Sequence, residues 1–345
     1  MTSFALEHSP DDALVPPKKI VCYTDLELAA LPAPREAIEG MLYCDSVAMI
    51  VAKWGSYKTF FALELAACMA LGADYNGRRA AHGSVIYVSA EGRRGLPSRV
   101  GALRAKYGGI SDTFPLVLVP QKVDITKPLE VALLMAEADL KLQELGFYHL
   151  EIAAVFIDTV ARNMSGNEND VEAMGRFLDG CHEIRERTGA LVAVVHHTGW
   201  EGTRARGSSS LPGNVDTEIV LTREENSNRV TVHNSKQRDA AEFADFTLEP
   251  SPIAGSLVLD PVAPTSSRLS PNEVRALHEV PTDPGISSTG WERATGLSDG
   301  SFNRARRRLL DLAYVKRIGG KYARTDAGTM ALGARCQAGA TEVPE

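Results

Sequence analysis

The chain has 345 residues, 44% hydrophobic and 23% charged, an ordinary soluble balance that supplies one large domain and something smaller. No apolar run approaches the ~18 residues needed to cross a bilayer, and the acidic start (Glu7, Asp11, Asp12) lacks the basic opening of a secretory signal, so no membrane partner and a cytoplasmic setting are expected. The net charge of −7 hides an asymmetry, since residues 268–345 carry twelve Lys or Arg against nine Asp or Glu; the acidic major part argues against a broad nucleic-acid surface but allows a narrow basic channel in an oligomer.

Residues 1–40 are rich in proline and polar groups (Pro10, Pro16, Pro17, Pro32, Pro34) and read as a partly flexible arm with at most one short helix. From Ser46 a strand, turn, helix pattern repeats. Val47–Val51 is apolar and Thr59–Leu71 helical; Val85–Ala90 is apolar and Leu96–Tyr107 helical; Leu116–Val119 precedes a helical Leu129–Leu145; Ile152–Ile157 precedes a helical Val171–Thr188; Leu191–Val195 follows. That alternation predicts an α/β fold with a mostly parallel sheet flanked by helices. After Pro212 come shorter alternating runs, Glu218–Thr222, Arg229–His233 and Phe243–Leu248, expected as antiparallel strands closing one edge, with the domain spanning 41–260.

The first strand runs into Ala52-Lys53-Trp54-Gly55-Ser56-Tyr57-Lys58-Thr59 and a helix opening at Phe60. A P-loop wraps backbone N–H groups around phosphates at a helix N-terminus, with Lys neutralising the β/γ oxygens and Ser/Thr holding magnesium. Gly55, Ser56, Tyr57, Lys58, Thr59 and Phe60 occupy those places, so ATP and Mg2+ are the expected ligands. Two positions depart from the pattern: Ala52 and Tyr57 stand where glycines are usual, and each adds a Cβ that restricts φ.

Three further strand ends carry polar groups. Ile152–Ile157 ends in Asp158, placed to reach the magnesium held by Thr59. Thr159 follows where many ATPases carry a catalytic Glu, so the base must come from elsewhere, and Glu91, ending the strand Val85–Ala90, is the candidate. Leu191–Val195 ends in His196-His197, and His196 is expected to sense the γ-phosphate. The neighbouring acceptors are not at metal-ligand spacing.

Together, Ala52–Thr59, Val88-Ser89-Ala90-Glu91-Gly92, Phe156-Ile157-Asp158-Thr159 and Val195-His196-His197, followed by Arg206-Gly207-Ser208-Ser209 and Asp216, resemble the RecA-like ATPases, most closely the RepA-type hexameric helicases of plasmids and phages, related to the DnaB helicases. The resemblance covers residues 42–250. It implies Glu91 as catalytic base, His196 as phosphate sensor and Arg206 reaching a neighbouring subunit's nucleotide. Ser235-Lys236-Gln237-Arg238 looks like the Lys-x-Arg that such hexamers insert in trans, so Lys236 contacts nucleotide and either Arg206 or Arg238 is the finger. The loop Gly199–Gly213, with Thr203, Arg204 and Arg206, lies where these proteins contact single-stranded DNA, and its flexible cationic backbone suits phosphate binding.

Residues 261–270 (PVAPTSSRLS) read as a linker, and 271–330 as a winged helix-turn-helix: helices Pro271–Glu279, Gly290–Thr295 and Asp299–Leu312, then a hairpin through Gly319-Gly320. The third helix bears Arg304, Arg306, Arg307 and Arg308 and is expected to bind duplex DNA, with protein docking as the alternative. Residues 331–345 form a tail. The expected function is an ATP-driven, ring-forming DNA helicase or translocase in phage or plasmid replication, which the resemblance implies is a homo-oligomer, ring or hexamer; the rival is a DNA-binding ATPase of recombinase, loader or regulatory type without unwinding.

Overall fold

The computed structural model describes residues 21–107, 113–197, 210–223, 227–262, 269–282, 285–312, 314–318, 320–325, 328–329 and 331–332. The arm contributes one five-residue helix, α1 (Asp25–Ala29), started by a capping box in which Thr24 and Glu27 exchange side-chain and backbone hydrogen bonds. A small antiparallel pair follows, β1 (Glu36–Ile38) with β2 (Leu42–Tyr43).

The alternating pattern then resolves into β3 (Ser46–Ala52), α2 (Lys58–Leu71), β4 (Ser84–Ser89), α3 (Leu96–Lys106), β5 (Leu116–Val119), α4 (Pro128–Glu144), β6 (Ile152–Asp158), α5 (Val171–Thr188) and β7 (Leu191–His197). A short α6 (Ser210–Asn214) leads to β8 (Thr217–Arg223), β9 (Val230–Gln237), β10 (Phe246–Ile253) and β11 (Ser256–Pro261). These strands form one nine-stranded sheet in the order β11-β10-β9-β8-β3-β7-β6-β4-β5. The six strands from β8 to β5 are parallel, and β9, β10 and β11 add on antiparallel.

Two details differ from the sequence expectation. The segment around Glu218–Thr222 is not the first antiparallel strand: it pairs parallel with β3, because the chain crosses over from β7 before re-entering the sheet on β3's other side. A further strand, β11, has no counterpart in the sequence expectation: Ala254 and Gly255, both at positive φ (48° and 74°), make a two-residue hairpin turn that returns it along β10. Pro250 and Pro252 fit within β10 because β9 pairs only with its first three residues, so neither missing N–H interrupts that ladder.

All seven residues of β3 are buried, as expected of a strand covered on both faces. Its alternate side chains feed two cores: Ala48, Ile50 and Ala52 pack with α2 and α3, whereas Val47, Met49 and Val51 pack with α4 and α5. The second layer is close: a Cβ at Gly180 of α5 would sit 2.1 Å from the Ile125 carbonyl oxygen, so only glycine fits there.

One buried polar network braces the first layer. Glu64 of α2, 1% exposed, accepts from Lys106 Nζ at 2.5 Å, from Tyr107 Oη at 3.0 Å and from the Leu259 N–H of β11 at 3.3 Å. Lys106 also pairs with Asp260 at 2.9 Å. Burial pushes the Glu64 carboxyl up, and Lys106, Tyr107 and Leu259 hold against it.

Past residue 268, α7 (Pro271–His278), α8 (Ser288–Thr295), α9 (Asp299–Asp311) and the antiparallel pair β12 (Val315–Ile318) with β13 (Lys321–Arg324) enclose an apolar cluster of their own. Trp291 is its centre, edge-on to Phe302 at 5.2 Å and donating Nε1–H to the Ala276 carbonyl at 2.7 Å. Among the described residues no helix is long and apolar enough to cross a membrane.

Removing Glu64 takes the buried acceptor from the Tyr107 hydroxyl and the Leu259 N–H and leaves Lys106 with Asp260 alone, so Glu64→Ala is expected to destabilise the fold by about 3 kcal/mol, read from the urea unfolding midpoint. A loss below about 1 kcal/mol would show that the network does not brace α2 against β11.

Candidate nucleotide site

Parallel strands deliver their C-terminal ends to one side of a sheet, and β3, β4, β6 and β7 do so side by side. After β3 the chain turns through Gly55 (φ 76°) and Tyr57 (φ 60°) into α2, whose first residue is Lys58. Tyr57 thus adopts the left-handed backbone for which glycine is the usual choice. Two contacts hold it: an edge-on approach to Phe60, ring centroids 6.2 Å apart, and the Arg223 guanidinium 5.4 Å from its ring. Arg223 also reaches the Gly55 carbonyl at 3.3 Å, tying the end of β8 to the loop. Ala52 is the last residue of β3 and fully buried, and the strand continues through it without needing a glycine.

Lys58 is buried, its Nζ 3.1 Å from the Lys53 carbonyl and 3.2 Å from His197 Nδ1. An ammonium has only donors, so His197 accepts at Nδ1 and carries its own proton on Nε2. Burial lowers the His197 pKa, and the Lys58 charge lowers it further. Lys58 is itself lowered by burial, with Asp158 and Glu91 pulling the other way.

Asp158, at the end of β6, is 3% exposed. Burial raises its carboxyl pKa, while hydrogen bonds from Thr59 and Tyr87 and the Lys58 charge oppose the rise. The Tyr87 hydroxyl donates to Asp158 Oδ2 at 2.9 Å, fixing the carboxylate from β4. The Asp158–Thr159 peptide is cis. Glu91 follows β4 in a turn set by Ser89 Oγ donating to the Glu91 carbonyl at 2.9 Å and by the Ala90 N–H donating to the Asp158 carbonyl at 3.0 Å. Its carboxylate is exposed and paired with Arg162 Nε at 2.6 Å.

Lys58, Glu91 and His197 meet in a cavity of about 360 Å3 lined by the loop from Trp54 to Phe60 with Glu91, Arg99, Thr159 and His197, and Asp158 is buried next to it, just before Thr159. Thr159 Oγ1 is buried there and has no hydrogen-bond partner among the described residues. A buried hydroxyl left free beside a helix N-terminus and a lysine suits an anionic oxygen or a metal-bound water.

The structure therefore brings together Gly55, Ser56, Tyr57, Lys58, Thr59, Phe60, Glu91 and Asp158. It places His197 rather than His196 against Lys58, which corrects the sequence expectation. Along β7, Leu191, Ala193 and Val195 face the α2 layer, so His197 shares their face; His196 lies with Val192 and Val194 on the other and is fully buried. Lys236 and Arg238 are elsewhere. Arg238 Nη1 pairs with Asp216 Oδ1 at 2.7 Å, and Asp216 Oδ2 accepts from the N–H of Val47 at the opposite end of β3, roughly 20 Å along the strand from Lys58. Neither reaches this chain's own loop. Arg206 and all of the 199–213 loop before Ser210 lie outside the described residues.

Arg99, Arg162, Arg223 and Tyr87 carry no sequence signal that marks them for the site, and Thr159 is marked there only as the residue after Asp158. Arg99 stands over the Phe60 ring at 4.7 Å. A lone arginine on a helix or strand end carries no motif, and only the sheet order makes these five neighbours.

A six-stranded parallel core flanked by helices, with a Lys-Thr loop after one of its inner strands and a buried aspartate two strands away, is an α/β fold of P-loop type. The chain belongs to the AAA domain family, whose sequence model matches residues 17–203, more than half its length. Among solved structures it is similar to the RadB recombinase, at 14% identity over 62% of this chain and 90% of that one, with a TM-score of 0.42. A KaiC-like protein of the hyperthermophilic archaeon Pyrococcus horikoshii OT3 is similar at 14% identity over 66% of this chain and 99% of that one, also with a TM-score of 0.42. No curated protein matches the sequence.

The His197 pair gives a signed pH effect. With its folded pKa held below the ordinary 6.5, His197 favours the folded state above that value, and the contribution is lost as pH falls through the folded pKa. Ring NMR is expected to show His197 titrating below 6.5, rising in Lys58→Ala but staying below 6.5 because burial is the larger cause. Titration at or above 6.5 in the unaltered chain would contradict the pairing.

Proposed function

We propose that the chain is an ATP-hydrolysing RecA-like motor, an oligomeric DNA helicase or translocase of RepA type acting in phage or plasmid replication. The observation that carries this reading is the convergence of Lys58, Thr59, Glu91 and His197 on one crevice, with Asp158 buried next to its lining residue Thr159. Lys58 and the N–H groups opening α2 cradle the phosphates. Thr59 and Asp158 are the groups that would hold Mg2+, which neutralises charge on the β and γ oxygens when bound. Thr59 lowers the Asp158 pKa, and the Tyr87 hydroxyl donates to Asp158 Oδ2 at 2.9 Å.

Glu91 takes the proton of the attacking water. Its exposed carboxylate, steered by Arg162, sits just past the end of β4, the strand whose Ser89 pairs with Asp158. His197, bonded to Lys58, is the group in position to register whether a γ-phosphate is competing for that ammonium. The Lys-x-Arg resemblance supports Lys236 and Arg238 acting in trans on a neighbouring copy's nucleotide, with Arg206 the other candidate finger.

The C-terminal elements read as a winged-helix domain, 271–330, joined to the 41–260 ATPase domain by 261–270. Three of the four α9 arginines, Arg304, Arg307 and Arg308, are exposed on one side, while Arg306 turns inward over Phe302 at 5.5 Å. Lys316, Arg317 and Lys321 extend the exposed positive surface onto the hairpin, which suits a phosphate backbone. This face also favours the second reading, an ATPase that attaches to DNA without unwinding it.

A strand-displacement assay with parallel ATP turnover separates the two. Lys58→Ala is expected to abolish nucleotide binding, and Glu91→Gln to keep binding while lowering turnover at least ~100-fold. Turnover stimulated by single strands without displacement supports the second reading. Intact turnover in both variants would sink the site assignment.

A further inference from the structure

One helix of this chain is apolar on two sides. α4 turns Val131, Leu134, Met135, Ala138 and Leu142 into the core. Leu129, Leu133 and Leu140 lie on its other side, 81%, 57% and 52% exposed. At about 100° per residue the three fall within about 40° of one another, so they form one stripe, and Ala132 and Ala136 adjoin it. Among the described residues nothing covers this stripe. A helix apolar on two sides has two partners, and the sheet is only one of them.

Beside the stripe runs a groove of about 480 Å3 between α4 and β5, the outermost strand on that side of the sheet. An added strand is a poor occupant: β5 has four residues, with Pro115 before it and Pro120 after it, and short Pro-bounded edges resist pairing. A second helix suits the surface better, because alanine between leucines lets two helix axes approach closely.

The charges say which helix. On the flank facing the groove α4 carries Glu130 near its start and Lys141 and Glu144 near its end, and Lys127 is the residue just before it. Lys127 pairs with Glu130 at 3.1 Å and Lys141 with Glu144 at 2.7 Å, so both ends read Lys then Glu. Turn a second copy end for end, and Lys127 comes opposite its Glu144 while Glu130 comes opposite its Lys141. To within about one residue, or ~1.5 Å, the same register sets Leu133 opposite Leu140 and Ala136 opposite its own counterpart. A parallel alignment would set every charge against itself.

We propose that α4 is a self-docking surface: two copies of this chain associate through antiparallel α4 helices about a two-fold axis beside Ala136. One patch meets itself, so the contact joins two chains and stops. It goes beyond the motor reading and needs no nucleotide, since it can pair two rings but cannot close one. Glu137, on the same flank close to the axis, comes near its own counterpart and works against the pairing.

Disulfide capture in the full chain tests it. With Cys22 and Cys336 replaced by Ser, which leaves the buried Cys44, Cys68 and Cys181, Ala136→Cys puts one thiol beside the axis. Mild oxidation is expected to link most of the protein in pairs, read as a two-chain band on a non-reducing gel with nothing larger. A second variant adds the swap Lys141→Glu with Glu144→Lys. The swap keeps the composition, the net charge and the pair within the helix, and circular dichroism verifies the fold. Across the contact it sets Glu against Glu130 and Lys against Lys127, and linkage is expected to fall at least ~10-fold. Glu137→Gln, added to the unswapped chain, is expected to speed linkage. Absence of the two-chain band overturns the proposal, as it must if a different protein covers the stripe. So does equal linkage with and without the swap, the result of unspecific contact between leucine faces. Pairs formed by a chain that never hydrolyses ATP support the docking and remove only the motor reading.

Discussion

The parallel register of β3 with β7, β6 and β4 is the constraint on which everything else in the site depends. Pairing Val51 with His196, Ser89 with Asp158 and Asp158 with Val195 stops these strands at nearly the same level. Residues from four distant stretches of sequence then share one crevice of about 360 Å3. A one-residue slip in any pair would turn the end residue to the other helix layer, the geometry that separates His197 from His196.

The loop after β3 meets a second demand, a left-handed residue just before Lys58. Tyr57 meets it against its intrinsic preference, at a cost of roughly 1 kcal/mol in backbone energy. Phe60 and Arg223 give the ring what a glycine would lack, packed contacts that fix the loop from α2 and from β8. The helix that carries Lys58 is anchored two turns later by Glu64, so the phosphate loop is held at both ends: by the sheet at Ala52 and by the network reaching Lys106 and β11.

Much of this was legible in the sequence. Apolar runs of strand length separated by helical periods gave the parallel core, and the capping and Pro signals at Ser270-Pro271 placed α7. Lys58, Thr59, Asp158 and Glu91 could be read because each ends a strand or opens a helix, positions that are marked in one dimension. What could not be read depended on which face of the sheet a helix covers. Alternation along Leu191–His197 separates His196 from His197, but nothing in the string says that α2 lies on the side of Val195. The parallel pairing of β8 was hidden for a similar reason, since its apolar alternation is the same whichever way its neighbour runs. Arg99, Arg162 and Arg223 are placed by the sheet order alone.

On the proposed reading, Thr59 and Asp158, the latter held by Tyr87, are one half of a metal site whose other half is a nucleotide held on Lys58. Calorimetric titration of ATP with and without Mg2+, in the unaltered chain and in Asp158→Asn, tests it most directly. The account predicts that magnesium tightens ATP binding about tenfold or more in the unaltered chain and that this gain disappears in Asp158→Asn while metal-free binding persists. An equal gain in both chains would contradict it.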